Sequence, residues 1–191
     1  MTRTRVWAAV WVVLPLAAAG SCQHATKVSE PLTTQLAGND AEAQLAFWHS
    51  LSERKITSND EAFHGLLLFL DGKDSAADYA SRVEQLKSRG VLPAKFNRPA
   101  EEAVNRGTMA VAIVAVLDIK GGLTLRLFPH SPRYATRELQ YIGLYPRSSP
   151  HQAFSGSEFL GIIGRAEDYE RMLSGRTSAM EELTQEQIDE E

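Results

Sequence analysis

The feature that most constrains the fold is a short sequence that occurs twice in the chain. Tyr-Ala-Ser-Arg stands at 79–82 and Tyr-Ala-Thr-Arg at 134–137, and a glycine and then a proline follow each copy. Further along, 103–113 resembles 153–163 at a constant offset of 50 residues. A pattern that recurs at a fixed spacing of this size is typical of supersecondary units that pack against one another.

Each unit is predicted to contain a helix, a loop, and a second, more apolar helix that starts at a capping residue. An earlier, shorter copy is visible in 45–67. The predicted caps are Ser58, Asn105 and Ser155, and a glutamate stands at capping-box spacing from both serines. Neither helix of a unit can bury its apolar face alone. We therefore expect an all-α fold of about three helix–loop–helix repeats, packed in one domain over 41–175.

Two stretches fit this scheme less simply. The segment 123–128 alternates between apolar and polar residues, which is typical of one short strand, although a single strand makes no sheet. Three glycines, Gly156, Gly161 and Gly164, raise the question of a phosphate-binding loop. No predicted strand precedes them and their spacing does not match such loops. We expect Gly161 and Gly164 to allow another helix to approach closely.

The amino terminus predicts a secretory signal that ends at the single cysteine of the chain. A basic start is followed by an apolar run that is too short for a good membrane span, and then by Ala19-Gly20-Ser21-Cys22. This sequence resembles the lipobox of bacterial lipoproteins, which implies a signal peptide over 1–21, lipidation of Cys22 and a lipidated tether over 22–40. The alternative is an ordinary signal peptide in which Cys22 is incidental. By resemblance to Gram-negative lipoproteins, Gln23 favours the outer membrane, facing the periplasm.

The carboxyl terminus is strongly acidic. The segment from Glu167 to Glu191 holds nine acidic residues and two arginines, and we expect an acidic, disordered tail over 176–191. The formal net charge of the whole chain is −4, which argues against a dedicated nucleic-acid binder.

The repeated units resemble S-layer homology modules, which commonly occur as three copies of about this length with two helices each. The resemblance spans 42–166. In the place of the family's Thr-Arg-Ala-Glu-like motif, the chain carries "SNDE" at 58–61, "NRGT" at 105–108 and "SGSE" at 155–158. Family members use the motif arginine and nearby side chains to hold anionic cell-wall polysaccharide in grooves between repeats. The resemblance thus implies a ligand contact for Arg106, while Asn59 and Gly156 replace the arginine in the other units.

A basic cluster adds three candidate ligand-binding residues, Arg126, Arg133 and Arg137. They belong to a stretch that also carries Lys120, His130 and Arg147 and contains one acid, Glu138. Arginine forks can bind carboxylates or phosphates in two places at once. The alternative is that these arginines pair with the acidic tail or remain solvated.

The sequence gives little indication of catalysis. Its five histidines do not show metal-ligand spacing, so we expect no metal, no cofactor and no catalytic residues. His64 is read as a helix-interface residue, with a ligand or base as the alternative. We predict a non-catalytic, lipid-anchored cell-envelope protein whose repeats bind peptidoglycan or another anionic envelope glycan. Two alternatives stay open, namely an accessory subunit that binds envelope proteins through a groove between repeats, and an envelope enzyme.

Overall fold

The computed structural model describes residues 26–28, 32 and 36–189, with side chains up to Arg176. Seven α-helices occupy most of these residues, and the described ranges contain isolated β-bridges but no strand. The helices are α1 (Ala41–Ser52), α2 (Asn59–Asp71), α3 (Tyr79–Ser88), α4 (Arg106–Val116), α5 (Leu123–Leu127), α6 (Pro132–Tyr141) and α7 (Gly156–Asp189). The predicted all-α class is confirmed. The predicted signal peptide and Cys22 lie outside the described residues.

Side-chain caps precede α2, α4 and α7, the three helices expected to open with one. The Ser58 hydroxyl accepts from Glu61 N at 3.1 Å, and the Glu61 carboxylate accepts from Ser58 N at 2.8 Å. Ser155 and Glu158 make the same reciprocal pair at 3.2 and 3.0 Å. The Asn105 side chain accepts from Thr108 N at 2.8 Å. These bonds satisfy backbone N–H groups that have no partner within the helix.

The chain segments that lead into these three helices meet one another. Thr57 N donates to Phe154 O at 2.9 Å, and Val104 N donates to Thr57 O at 3.0 Å. Arg106 N donates to Gln152 O at 2.8 Å, beside a bridge between Asn105 and Ala153. Thr57, Val104 and Phe154 are almost completely buried. The starts of α2, α4 and α7 are therefore joined by backbone hydrogen bonds in the interior.

The core forms around α4, which is buried on nearly every face as its continuous apolar sequence predicts. α4 packs on α6, α1 packs on α7, and α2 contacts both α3 and α7. The expected strand at 123–128 is wrong, because Leu123–Leu127 is the short helix α5. No neighbouring strand is present among the described residues to pair with this segment. Of its three leucines only Leu125 is buried, with Leu123 73% and Leu127 65% exposed.

The glycines of α7 serve a different purpose from the one expected. A Cβ on Gly164 would have nothing within 4 Å, and one on Gly161 would meet only the end of Arg165 at 3.7 Å. No helix approaches closely at these two positions. A Cβ on Gly156 would lie 1.5 Å from Leu51 O, so the close approach is between the first residue of α7 and the end of α1.

Both terminal segments differ from expectation where they are described. Residues 26–28 of the expected tether pair with the backbone of 101–103. The backbone remains helical over 176–189, where a disordered tail was expected. Glutamate and glutamine, which are good helix formers, are common there. None of the helices in the described residues has the length and apolar character that a membrane crossing requires.

Candidate functional site

The strongest candidate site is a groove of about 370 Å³ between the loop before α4, the start of α4, and the loops on either side of α6. Its polar lining comes from four separate parts of the chain: Lys95, Asn97, Arg98, Asn105, Thr108, His130 and His151. Its apolar lining consists of Pro93, Phe96, Val111, Pro132 and Pro150. Small-ligand sites commonly have this size and this mixture of apolar walls with a few polar groups.

The charged groups of this groove are all basic. Lys95 is an exposed cation, Arg98 is an exposed cation that also pairs with Glu102, and His130 and His151 are exposed imidazoles that can donate hydrogen bonds. No aspartate or glutamate lines the groove. Two cations and two imidazole hydrogen-bond donors around one hollow make a favourable position for an anion.

Contacts behind the groove hold the loop of residues 93–98 in place. The Arg98 guanidinium donates to the Glu102 carboxylate, and the Arg98 carbonyl accepts from the Tyr79 hydroxyl at 2.7 Å. Burial raises the pKa of Tyr79 well above its ordinary value, so the hydroxyl keeps the proton that it donates. The ring of Phe96 packs edge-on against Phe63, with ring centres 5.4 Å apart. The loop therefore presents Lys95, Asn97 and Arg98 from a supported backbone.

Gly107 allows the start of α4 to lie close to the segments on either side of α6. Its N–H donates to Pro150 O at 2.8 Å, which ties the loop after α6 to the start of α4. A Cβ at this position would lie 2.6 Å from Pro132 Cβ and 3.0 Å from Pro150 Cβ. Only a residue without a side chain lets Pro132 and Pro150 come this close to the helix.

Arg106 does not reach the groove, in contrast to the ligand contact that the family resemblance implies. It is 6% exposed, its guanidinium lies 2.5 Å from the Glu158 carboxylate, and it stacks over the Phe154 ring at 4.9 Å. The backbone N–H of Ser155, assisted by Arg106, lowers the pKa of Glu158 below its ordinary value. Glu158 is thus held ionised opposite Arg106. Arg106 therefore joins the start of α4 to the start of α7.

The other three predicted ligand-binding arginines lie on α5 and α6. Arg126, Arg133 and Arg137 are exposed, and none of them lines the groove. None forms an ion pair with a carboxylate among the described side chains. The structure thus separates the basic groove from the basic cluster that the sequence suggested.

A buried polar cluster lies elsewhere, between α2 and α3. His64 Nδ1 lies 2.6 Å from the Asp74 carboxylate, which accepts from Arg82 Nε at 2.5 Å, and Arg82 donates onward to Asp60 at 2.7 Å. His64 is fully buried, and its Nε2 has no hydrogen-bond partner. Glu61 is also buried and is bound by its cap and by Arg54 at 3.0 Å. His64 and Glu61 therefore do not gather at an open cavity, as a catalytic role would require.

A second hollow of about 400 Å³ lies between α1, α2 and α7. Its walls are mostly apolar, with Trp48, Leu68, Phe69, Leu160 and Ile163 next to the bare backbone of Gly164. Gln44 and Glu167 add polar groups to its lining. The space that Gly164 leaves is thus part of a surface depression.

Sequence reasoning missed most of the groove. Lys95, Asn97 and Arg98 carry no motif, and His151 attracted attention only as one of five histidines without metal-ligand spacing. A proline-rich loop with exposed basic residues was the one available signal. In the described part of the chain, no group of three or more His, Cys, Asp or Glu side chains could hold a metal ion.

Comparisons with known proteins leave the site to be interpreted from its own chemistry. No protein-family model, no curated protein and no solved structure matches this chain.

Proposed function

We propose that this chain is a non-catalytic, lipid-anchored protein of the bacterial cell envelope, and that its groove binds an anionic envelope glycan. The observation that carries the proposal is the lining of the groove, which holds Lys95, Arg98, His130 and His151 without an acidic residue. This charge pattern fits carboxylate or phosphate groups, since both arginine and lysine bind such anions. Phe96 and the proline walls offer apolar surface to a sugar ring.

The proposal includes three helix–loop–helix units: α1 with α2, α3 with α4, and α6 with α7. Support comes from the three capped helix starts and from the hydrogen bonds that join their leading segments in a ring. Thr57 bonds both Val104 and Phe154, and Gly156 N donates to Arg54 O at 2.9 Å. In this arrangement the groove lies between the second and third units.

The anchor is proposed on the sequence of residues 19–22, with the lipid on Cys22 and the outer membrane, facing the periplasm, as the location. Processing of the full chain tests this part. We expect a Cys22→Ala variant to lose lipid labelling and membrane association. Unchanged processing and membrane association in that variant would contradict the anchor.

Retention on purified cell wall tests the groove. We expect the triple variant Lys95→Gln/His130→Gln/His151→Gln to lose most of its retention. The matched control is Arg126→Gln/Arg133→Gln/Arg137→Gln, which removes three full charges from α5 and α6 and leaves the groove intact. If binding depended only on overall positive charge, the control would lose at least as much retention. Retention of the groove variant at the level of the wild type would exclude the groove as the glycan site.

A second candidate function is an accessory subunit of an envelope protein complex. The apolar hollow between α1, α2 and α7 favours it, because exposed apolar depressions commonly receive partner side chains. Photo-crosslinkers placed at Gln44 and at Lys95 in intact cells would distinguish the two surfaces. Protein adducts confined to Gln44 favour the subunit. An envelope enzyme is the third and remotest proposal, and the burial of His64 and Glu61 gives it no support.

A further inference from the structure

The segment that follows Cys22 binds to the domain almost at once. Val28 N donates to Glu101 O at 2.7 Å, and Ala103 N donates to Thr26 O at 2.8 Å. Lys27 faces Glu102 in an antiparallel bridge. Residues 26–28 therefore form a fixed edge on the loop before α4.

This edge limits how far the domain can stand from the modified cysteine. Thr26 is four residues after Cys22, and an extended chain spans at most ~3.6 Å per residue, so the two are within about 14 Å of each other. A free tether over 22–40 would instead reach about 60 Å when extended. The 14 Å limit holds for every path that residues 23–25 can take.

Because the domain is much wider than this limit, the limit determines which side of the domain faces the bilayer. A folded unit of about 150 residues has a radius of gyration of about 15 Å, and hence a diameter of about 40 Å. A connection of 14 Å is much shorter than that diameter. The domain therefore cannot turn its far side towards the bilayer that holds the lipid.

We infer that residues 26–28 and the adjoining loop 94–101 form a membrane-facing surface that lies against the lipid headgroups. The inference rests on the proposed lipidation of Cys22. Lys95 and Arg98 belong both to this loop and to the groove. The groove thus opens beside the bilayer, and its glycan must lie at the membrane surface rather than at the distance that a long tether would allow.

Energy transfer from the domain to the bilayer tests the orientation. The full-length lipoprotein is reconstituted into phosphatidylethanolamine–phosphatidylglycerol vesicles that contain an acceptor-labelled lipid. Because Cys22 is the single cysteine and its thiol carries the lipid, an Asn97→Cys or a Lys73→Cys variant offers one thiol for a donor dye. Lys73 follows the carboxyl end of α2, whereas Ser58 at the amino end of this helix pairs with Ala103 beside the docked edge. The 13 residues of α2 separate these two ends by about 20 Å. We expect stronger transfer from Asn97→Cys than from Lys73→Cys.

Two insertions of identical composition separate a docked segment from a free tether. About twelve Gly/Ser residues placed between His24 and Ala25 add about 20 Å of r.m.s. length ahead of the docked edge, and transfer from Asn97→Cys should fall by roughly twofold. The same insertion between Glu30 and Pro31 lies after the edge and should leave transfer unchanged.

Equal losses for both insertions, or equal transfer from the two dye positions, would overturn the inference while the anchor stands. Failure of the protein to associate with vesicles, with Cys22→Ala behaving as the wild type, would instead overturn the anchor and the inference with it.

Discussion

Substitution of Gly156 by alanine should destabilise the protein strongly. The new Cβ would stand 1.5 Å from Leu51 O and 2.6 Å from Leu51 C, both of which are backbone atoms that cannot rotate away. Ordinary contact distances require the end of α1 and the start of α7 to separate by about 2 Å.

The size of the effect follows from what this movement disrupts. Overpacking of a tight interior costs about 1–3 kcal/mol, or more where the backbone must shift. The same shift breaks the hydrogen bond from Gly156 N to Arg54 O, which is 2.9 Å long, and removes about 1 kcal/mol more. We therefore expect the free energy of unfolding to fall by about 3–4 kcal/mol, which lowers Tm by roughly 10 °C for a domain of this size.

Gly164 supplies a matched control in the same helix. Alanine there would have nothing within 4 Å, and it replaces glycine in a helix interior. We expect a gain of about 0.5–1 kcal/mol, because alanine has the better helix propensity. Circular dichroism at 222 nm during thermal and urea unfolding measures both variants against the wild type. A Gly156→Ala variant as stable as the wild type, or changes of the same sign and size in both variants, would refute the close approach.

Three further predictions concern charges. Asp74→Asn should lower the free energy of unfolding by about 3–5 kcal/mol, because it leaves Arg82 buried beside a weakened partner. Asp60→Asn should lower it by less, and urea unfolding of the two variants at neutral pH compares them. Burial raises the pKa of Asp60, but for Asp74 the hydrogen bonds from His64 and Arg82 outweigh burial and lower the pKa. Since the folded-state pKa of Asp74 lies below the unfolded value, its stabilisation is complete above the unfolded pKa and is lost as pH falls through the folded value. As pH falls below about 5, the free energy of unfolding of the wild type should therefore fall more than that of Asp74→Asn. Urea unfolding at a series of pH values measures both, and equal decreases in the two proteins would contradict the prediction. Glu158→Gln should lower the free energy of unfolding by about 1–2 kcal/mol, because it removes the ionic partner of the buried Arg106. The amide oxygen of the variant can still accept from Ser155 N. A change near zero in urea unfolding would count against this pair.

Local features of the sequence predicted the helix starts well. A capping box is complete within four residues, so Ser58 and Glu61 can be recognised without knowledge of the fold. The same holds for Asn105 and for the continuous apolar sequence of α4. These signals are sufficient for the all-α class, because helix caps and apolar periodicity act within one element.

Features that depend on distant partners were not predictable. Gly156 is required by a backbone oxygen of Leu51, which no local pattern reveals. The alternation at 123–128 is compatible with a strand, but a strand needs a neighbour to pair with, and no strand lies among the residues that the structure describes. The groove combines side chains from 93–98, the start of α4 and both loops around α6, so its basic character appears only after these segments meet.

The arginines show most clearly why a motif is insufficient to locate a binding site here. Arg54, Arg98 and Arg106 each pair with a glutamate, and the side chains of Arg54 and Arg106 are mostly buried. Part of the charge that a linear sequence presents as available is therefore neutralised within the protein. At the groove, Lys95 and the two histidines keep no such acidic neighbour in the lining. With a Debye length of about 10 Å at 0.1 M salt, the acidic carboxyl-terminal charges weaken this local field only where they come close to it. A chain of negative net charge can thus offer an anion a favourable position where the fold gathers basic side chains around a hollow without an acidic one.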